Sequence, residues 1–223
     1  MRRRFIKIGI AVFLVGVAVM LTSCVSFSPF MIREAALPAG WPERTPVGEI
    51  RIQTYPAYRA ATVTAEQAGG GMDKMHGALF GHIKNKGISM TAPVDMSYPA
   101  EDVAAGPVSM AFMYRSTQQG AVGADGRVLV ADVQPATFVS MGVRGGYRSD
   151  HIAAQVTKLT AWLEQQDDWR PAGPPRYLGY NSPFVPAFMR YGEVQIPVQT
   201  ADTPSAPTTR AVPGHRARNA SDW

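Results

Sequence analysis

KNKGISMTAPVDM, residues 84–96, is the stretch whose reading decides the fold. It opens on a basic turn, Lys84-Asn85-Lys86-Gly87, and then places Ile88, Met90, Ala92, Val94 and Met96 at every second position. A period of two sends alternate side chains to opposite faces of a strand, so the pattern predicts a β-strand with Ile88, Met90 and Val94 turned inward. Pro93 lacks an amide hydrogen and belongs at an edge, a bulge or a bend. Upstream, Met72, Met75, Leu79 and Ile83 fall at helical spacing along one face, which predicts a helix over 72–83. The unit reads helix, turn, strand.

Working outward, residues 49–65 (EIRIQTYPAYRAATVTA) read as two strands joined at a Pro56 bend. Residues 127–143 (RVLVADVQPATFVSMGV) repeat that pattern around Pro135, with Pro56-Ala57 and Pro135-Ala136 offset by 79 positions. The glycines at 69–71 loosen any helix start before Met72. A second helix is expected from about Ser149, its apolar stripe being Ile152, Val156, Leu159 and Leu163. Further strands are expected at 108–115, from 176 and at 193–198, with a polar hairpin loop around Gly120, Gly123 and Gly126. The order is strand, strand, helix, strand, strand, twice over. That is the pattern of an α+β domain built from two related halves on one core.

The first residues carry a different message. MRRRFIK is a basic start, residues 8–21 are unbroken apolar, and Thr22-Ser23-Cys24 follows, the pattern of a secretory signal. Leu21-Thr22-Ser23-Cys24 resembles a bacterial lipobox, in which the cysteine becomes the lipidated first residue. The alternative is an uncleaved anchor, for which the run is shorter than the ~20 residues a spanning helix needs. Residues 1–23 are expected to be a signal peptide and 24–48 a lipidated tether with an irregular lead-in. Residues 49–198 would form the folded domain and 199–223 a disordered tail. Val25 after the cysteine, with no Asp to signal retention, points to an outer membrane and its periplasmic face where the host has two membranes. Cys24 is the only cysteine, so no intramolecular disulfide can form.

The calculated pI of about 9.5 overstates the basic character of the domain. Arg2, Arg3, Arg4 and Lys7 belong to the signal, and Arg210, Arg216 and Arg218 to the tail. Between them, residues 24–198 hold 15 basic and 15 acidic side chains. Binding to a polyanion needs a surplus of Lys and Arg, so nucleic acid is not an expected partner.

Four pieces of sequence carry a family resemblance. They are Met90-Thr91-Ala92-Pro93-Val94 after Phe80-Gly81 and Asn85-Lys86-Gly87; GGYRSDHIAAQVTKLTAWL at 145–163; Gly179-Tyr180-Asn181-Ser182-Pro183; and Arg190-Tyr191-Gly192-Glu193-Val194. In this order they resemble the SOUL family of heme-binding proteins. Tyr191-Gly192 stands where the family usually has Arg-Asn. The resemblance implies a distorted antiparallel β-barrel or pair of sheets flanked by two helices, with an internal pseudo-twofold repeat. It also implies a heme or related tetrapyrrole ligand in an apolar groove beside the first helix. Carried over by position, Met72, Met75, His76 and Leu79 would face that groove.

A porphyrin needs an apolar slot, cations for its propionates and, optionally, an axial ligand for iron. His76 or His82 are the candidates for that ligand, with His76 the one preferred. Lys84, Lys86, Arg144, Arg148 and Arg176 are candidate propionate partners, each also readable as a surface charge. Mid-strand Met110 and Met113 read as core. No G-x-S-x-G, H-E-x-x-H or P-loop motif is present, so a binding protein is expected rather than an enzyme. The membrane would be contacted through the lipid anchor. The alternative readings are an envelope interaction or structural lipoprotein without heme, and a small-molecule hydrolase or isomerase.

Overall fold

The computed structural model describes residues 35–182 and 184–202. The signal sequence, Cys24, the start of the tether and the tail from residue 203 lie outside the described residues. In chain order the elements are β1 (Ile50–Tyr55), β2 (Tyr58–Thr64), α1 (Ala65–Ala68), α2 (Met72–Asn85), β3 (Val94–Ser97), β4 (Ser109–Met113) and β5 (Gly123–Asp125). They continue as β6 (Val128–Val133), β7 (Ala136–Arg144), α3 (Ser149–Leu163), β8 (Trp169–Pro171), β9 (Arg176–Gly179) and β10 (Tyr191–Thr200). The strands make one antiparallel sheet in the order β1-β7-β10-β9-β3-β4-β2-β6-β5, with β8 also on β10. The expected α+β fold is present, as one open sheet with edges at β1 and β5 rather than a closed barrel.

The two halves are β1-β2-α2-β3-β4 and β6-β7-α3-β9-β10, and they exchange their first strands. β1 pairs with β7 and β6 pairs with β2. Tyr55 lies opposite Ala136 and Tyr58 opposite Val133, so the register continues through both bends and sets Pro56 against Pro135. Neither proline has an amide hydrogen, so the ladder has nothing to exchange at that crossing. The proline repeat in the sequence is the point at which the two halves cross.

The strand expected over 88–96 is shorter than its pattern. β3 begins only at Val94. Gly87 turns the chain with φ +64°, the Ala92–Pro93 peptide is cis, and the Thr91 hydroxyl donates to the Met113 carbonyl. Ile88 and Met90 still pack against the core, from irregular backbone. The four-residue α1, absent from the expected order, starts at a reciprocal cap in which Thr64 and Gln67 bond each other's backbone amides.

The strands alternate between two buried faces. Val63, Phe112, Met96, Tyr177, Val194 and Met141 point to the face covered by α2 and α3. Tyr58, Ala60, Met113, Leu178, Tyr180 and Phe138 point the other way, where residues 35–48 cross the sheet as a strap with Leu37 and Trp41 packed down. Trp41 meets Tyr55 and Tyr58 edge-on, with ring centroids 4.8 and 5.4 Å away. Arg44 lies 4.7 Å above the Tyr180 ring.

Glu193 pins this strap. Its side chain is wholly buried, and Oε1 accepts from the Thr45 amide at 2.7 Å and the Tyr191 hydroxyl at 2.8 Å. Oε2 accepts from Tyr180 at 3.0 Å, Gln195 at 2.9 Å and Tyr55 at 3.3 Å. A buried carboxylate survives when its oxygens are saturated with donors, and here the lead-in supplies one of them. Burial and the nearby Glu193 charge push the Tyr180 and Tyr191 hydroxyls above the ordinary tyrosine range, so both remain protonated donors. The Tyr191 hydroxyl also lies 2.6 Å from the Thr45 carbonyl, so its one proton is shared between that oxygen and Glu193. The substitution of Tyr-Gly for Arg-Asn thereby has a structural reason. Tyr191 ties the strap, and a Cβ at Gly192 would sit 2.1 Å from the Tyr177 hydroxyl.

Candidate functional site

Each helix covers one half of the sheet. α2 packs on β2, β4 and β6, and α3 on β10, β7 and β8. The central pair, β3 and β9, joins the halves through Val94–Gly179 to Ser97–Arg176 and lies between the two helices. The seam between the helices therefore runs over the middle of the sheet, where Met96 and Tyr177 are buried. Val94 is partly buried there, as are Tyr147, Ala153 and Val156 on the α3 side.

The orientation of α2 decides which candidate residues reach that seam. Met75 and Leu79 are fully buried beneath the helix, so they are core and present no surface to a ligand. His82 turns toward the sheet edge. Nδ1 contacts Asp125 Oδ2 on edge strand β5 at 2.8 Å, and Nε2 contacts the Tyr114 hydroxyl at 2.8 Å. With both ring nitrogens committed, His82 is a structural residue. Lys86 joins the same carboxylate at 3.2 Å. The contacts from Lys86 and His82 hold the Asp125 carboxyl below its ordinary range.

His76 is about 120° around the helix from His82, on the flank nearer the centre of the sheet. Its ring stacks on Phe80 at 6.2 Å and meets the edge of Phe112 at 5.2 Å. Among the described residues, no hydrogen bond engages its ring nitrogens. Partial burial lowers its pKa, with Asp73 acting in the opposite sense, so the imidazole is neutral at pH 7. Met72, one turn earlier, is partly buried, and Phe80 is 48% exposed. The result is an apolar shoulder with one uncommitted imidazole.

The remaining cations divide. Lys84 is exposed at the carboxyl end of α2. Arg144 ends β7 and donates to the Met189 carbonyl. Arg148 is exposed and paired with Asp150. The cleft beside them, about 390 Å³ and lined by Gly145, Gly146, Arg148, Asp150 and His151, is polar and does not suit a flat apolar ligand. Arg176 had been expected near the pocket, but it is buried on the strap face. There it bonds Asp95 at 2.9 Å, Tyr58 at 3.1 Å and Gln195 at 2.9 Å, so it is removed from the candidate propionate partners.

An open antiparallel sheet with one helix packed on each half is the architecture of this α+β domain. The model of the SOUL heme-binding protein family matches residues 43–197, and the chain belongs to that family. No curated protein sequence matches it. Among solved structures, EcmrR in its DNA complex is similar with a TM-score of 0.52 at 13% identity, covering 89% of this chain and 70% of that one. The EcmrR C-terminal domain has a TM-score of 0.50 at 14% identity, over 68% of this chain and 97% of that one. At such identities the likeness is one of fold.

Proposed function

We propose that this protein is a lipid-anchored binding protein that holds heme, or a related flat tetrapyrrole, along the seam between α2 and α3. The observation that carries this reading is His76: half-buried, its pKa lowered by that burial, without a hydrogen bond on its ring among the described residues and set between Phe80 and Phe112. The surroundings fit such a group. Val94, Tyr147 and Val156 offer apolar area, His76 would be the axial ligand, and Lys84 would face a propionate, while Arg144 is tied to the Met189 carbonyl. The iron and its macrocycle would supply ligation and redox chemistry. The chain would supply the slot, the imidazole and the counter-charges.

Hemin titrated into detergent-solubilised full-length protein should give a saturable Soret shift at one equivalent. His76→Ala should alter that spectrum and weaken binding by about tenfold, or ~1.4 kcal/mol. His82→Ala should leave the spectrum intact while lowering stability by about 1–3 kcal/mol, because Tyr114 loses a buried partner. Because the His76 pKa is depressed, its neutral form persists below the ordinary ~6.5. The His76-dependent part of the spectrum should therefore hold at pH 6.5 and fade only in more acid solution. A Soret shift that never saturates, with the protein folded, would sink the heme reading in favour of an envelope interaction protein.

The anchor is the second part of the proposal. Cys24 would carry the acyl chains, each buried methylene contributing ~0.8 kcal/mol, with residues 25–34 as leash. Palmitate-analogue labelling should mark the wild type and spare Cys24→Ala. Equal label in both would remove the anchor.

A further inference from the structure

Among the described residues the two most exposed large apolar side chains, Phe184 and Phe188, stand together at one hairpin. They are 80 and 76% exposed, with Met189 at 49% beside them, in the connection between β9 and β10. This connection is built rather than loose. Asn181 Oδ1 accepts from the Tyr191 amide at 2.6 Å, and its carbonyl accepts from the Tyr147 hydroxyl at 2.7 Å. Residues Ala187–Met189 form a 3₁₀ turn. Arg190 Nε donates to the Val185 carbonyl at 2.7 Å, and Arg144 donates to that of Met189. Four hydrogen bonds and a 3₁₀ turn hold a frame whose largest apolar groups face outward, an arrangement that marks an interaction surface.

Its place in the fold says what it faces. Ala36 bridges Thr91 in parallel, and the Ala92 amide donates to the Ala36 carbonyl. The chain therefore enters the fold at the end of the sheet where β3 starts. β3 is antiparallel to β9, with Val94 opposite Gly179, so that same end carries the β9–β10 hairpin. Cys24 precedes Ala36 by twelve residues, which span about 40 Å at full extension. An acylated Cys24 would hold this end of the domain toward the bilayer. Arg144 and Arg190, at the base of the hairpin, are placed where anionic headgroups would meet them while the phenyl rings enter the acyl boundary.

We infer that the Phe184–Phe188–Met189 tip is a second membrane contact, which docks the domain on the lipid surface that holds its anchor. The inference rests on acylation at Cys24, and its test separates the two. With Cys24 acylated, Phe188→Cys introduces a unique thiol for an environment-sensitive fluorophore. The full-length lipoprotein is reconstituted in vesicles of phosphatidylcholine and phosphatidylglycerol with brominated acyl chains. Leu129→Cys, on the exposed side of β6, serves as the reference position. The label at 188 should be quenched by about twofold and that at 129 hardly at all, consistent with a tip 5–10 Å into the interface. Co-flotation with equal quenching at both positions keeps the anchor and overturns the docking. Failure to co-float overturns both. Self-quenching at 188 without bromolipid quenching assigns the tip to a second copy of the chain and likewise overturns the lipid contact.

Discussion

Replacing Arg176 with alanine is expected to cost the domain about 3–5 kcal/mol, the largest loss of any single substitution considered away from α2 and α3. Arg176 is 6% exposed, its guanidinium carbon lies 3.7 Å from the Phe138 ring centroid, and it holds Asp95 at 2.9 Å. Removing it leaves a buried carboxylate on β3 with no counter-charge, in a domain whose total stability is of order 5–15 kcal/mol. The pair is not itself a large source of stability. Asp95 Oδ1 and one Arg176 nitrogen have no partner among the described residues, so part of their desolvation is uncompensated. The double variant Arg176→Met with Asp95→Leu should accordingly recover most of the loss. Urea unfolding of the three proteins checks this, and a double variant as weak as Arg176→Ala would defeat it.

The same argument fixes a pH dependence. Burial already holds the Asp95 carboxyl above its ordinary range, with Arg176 drawing it back. Without Arg176 the folded pKa rises further above the unfolded value of ~3.9. A raised carboxyl pKa means the folded state binds protons more readily, so the stability deficit of Arg176→Ala should shrink as pH falls toward 4. A deficit that is constant between pH 7 and 4.5 would mean that Asp95 is not the group left stranded.

Arg176 also marks where the sequence stops being readable. Beside a loop, an arginine reads as a surface charge, and nothing local reveals that its partner is Asp95, 81 positions upstream. Glu193 is the same case, with Thr45 148 positions away. Strands with one face on the helices announced themselves by alternation, and the Pro56 and Pro135 bends disclosed the repeat. β7 did so less clearly, because residues 138–143 are buried on both faces once the strap covers the second. The helical stripe over 72–83 located α2 but merged core with site. Met75 and Leu79 belong to the stripe because they are core, and a ligand-facing flank lies beside such a stripe rather than on it. What separated His76 from His82 was Asp125 on β5. That three-residue edge strand is too short and too polar to be told from a hairpin loop.

Gly142→Ala should release the strap without unfolding the sheet. A Cβ at this position would lie 2.2 Å from the Thr45 carbonyl oxygen, 2.5 Å from that of Pro46 and 2.7 Å from the Pro46 carbonyl carbon. All three are backbone atoms and cannot rotate away, so the segment itself must move. With it go the Val47–Gly142 bridge, the Gly48 amide bond to the Gly142 carbonyl and the Thr45 amide bond to Glu193. Overpacking and the loss of a charge-assisted hydrogen bond together are worth about 2–4 kcal/mol. Hydrogen exchange should accelerate at the Thr45 and Gly48 amides while those of β9 and β10 stay protected. Uniform acceleration throughout would mean that the strap and the sheet unfold as one unit. This variant also discriminates between the two faces of the sheet. His76 lies on the helix side, and the strap lies on the other, so hemin affinity should change by less than about twofold, or ~0.4 kcal/mol. A folded Gly142→Ala protein that has lost hemin binding would move the ligand to the strap side, beside Glu193 and its tyrosines, and would overturn the assignment to His76.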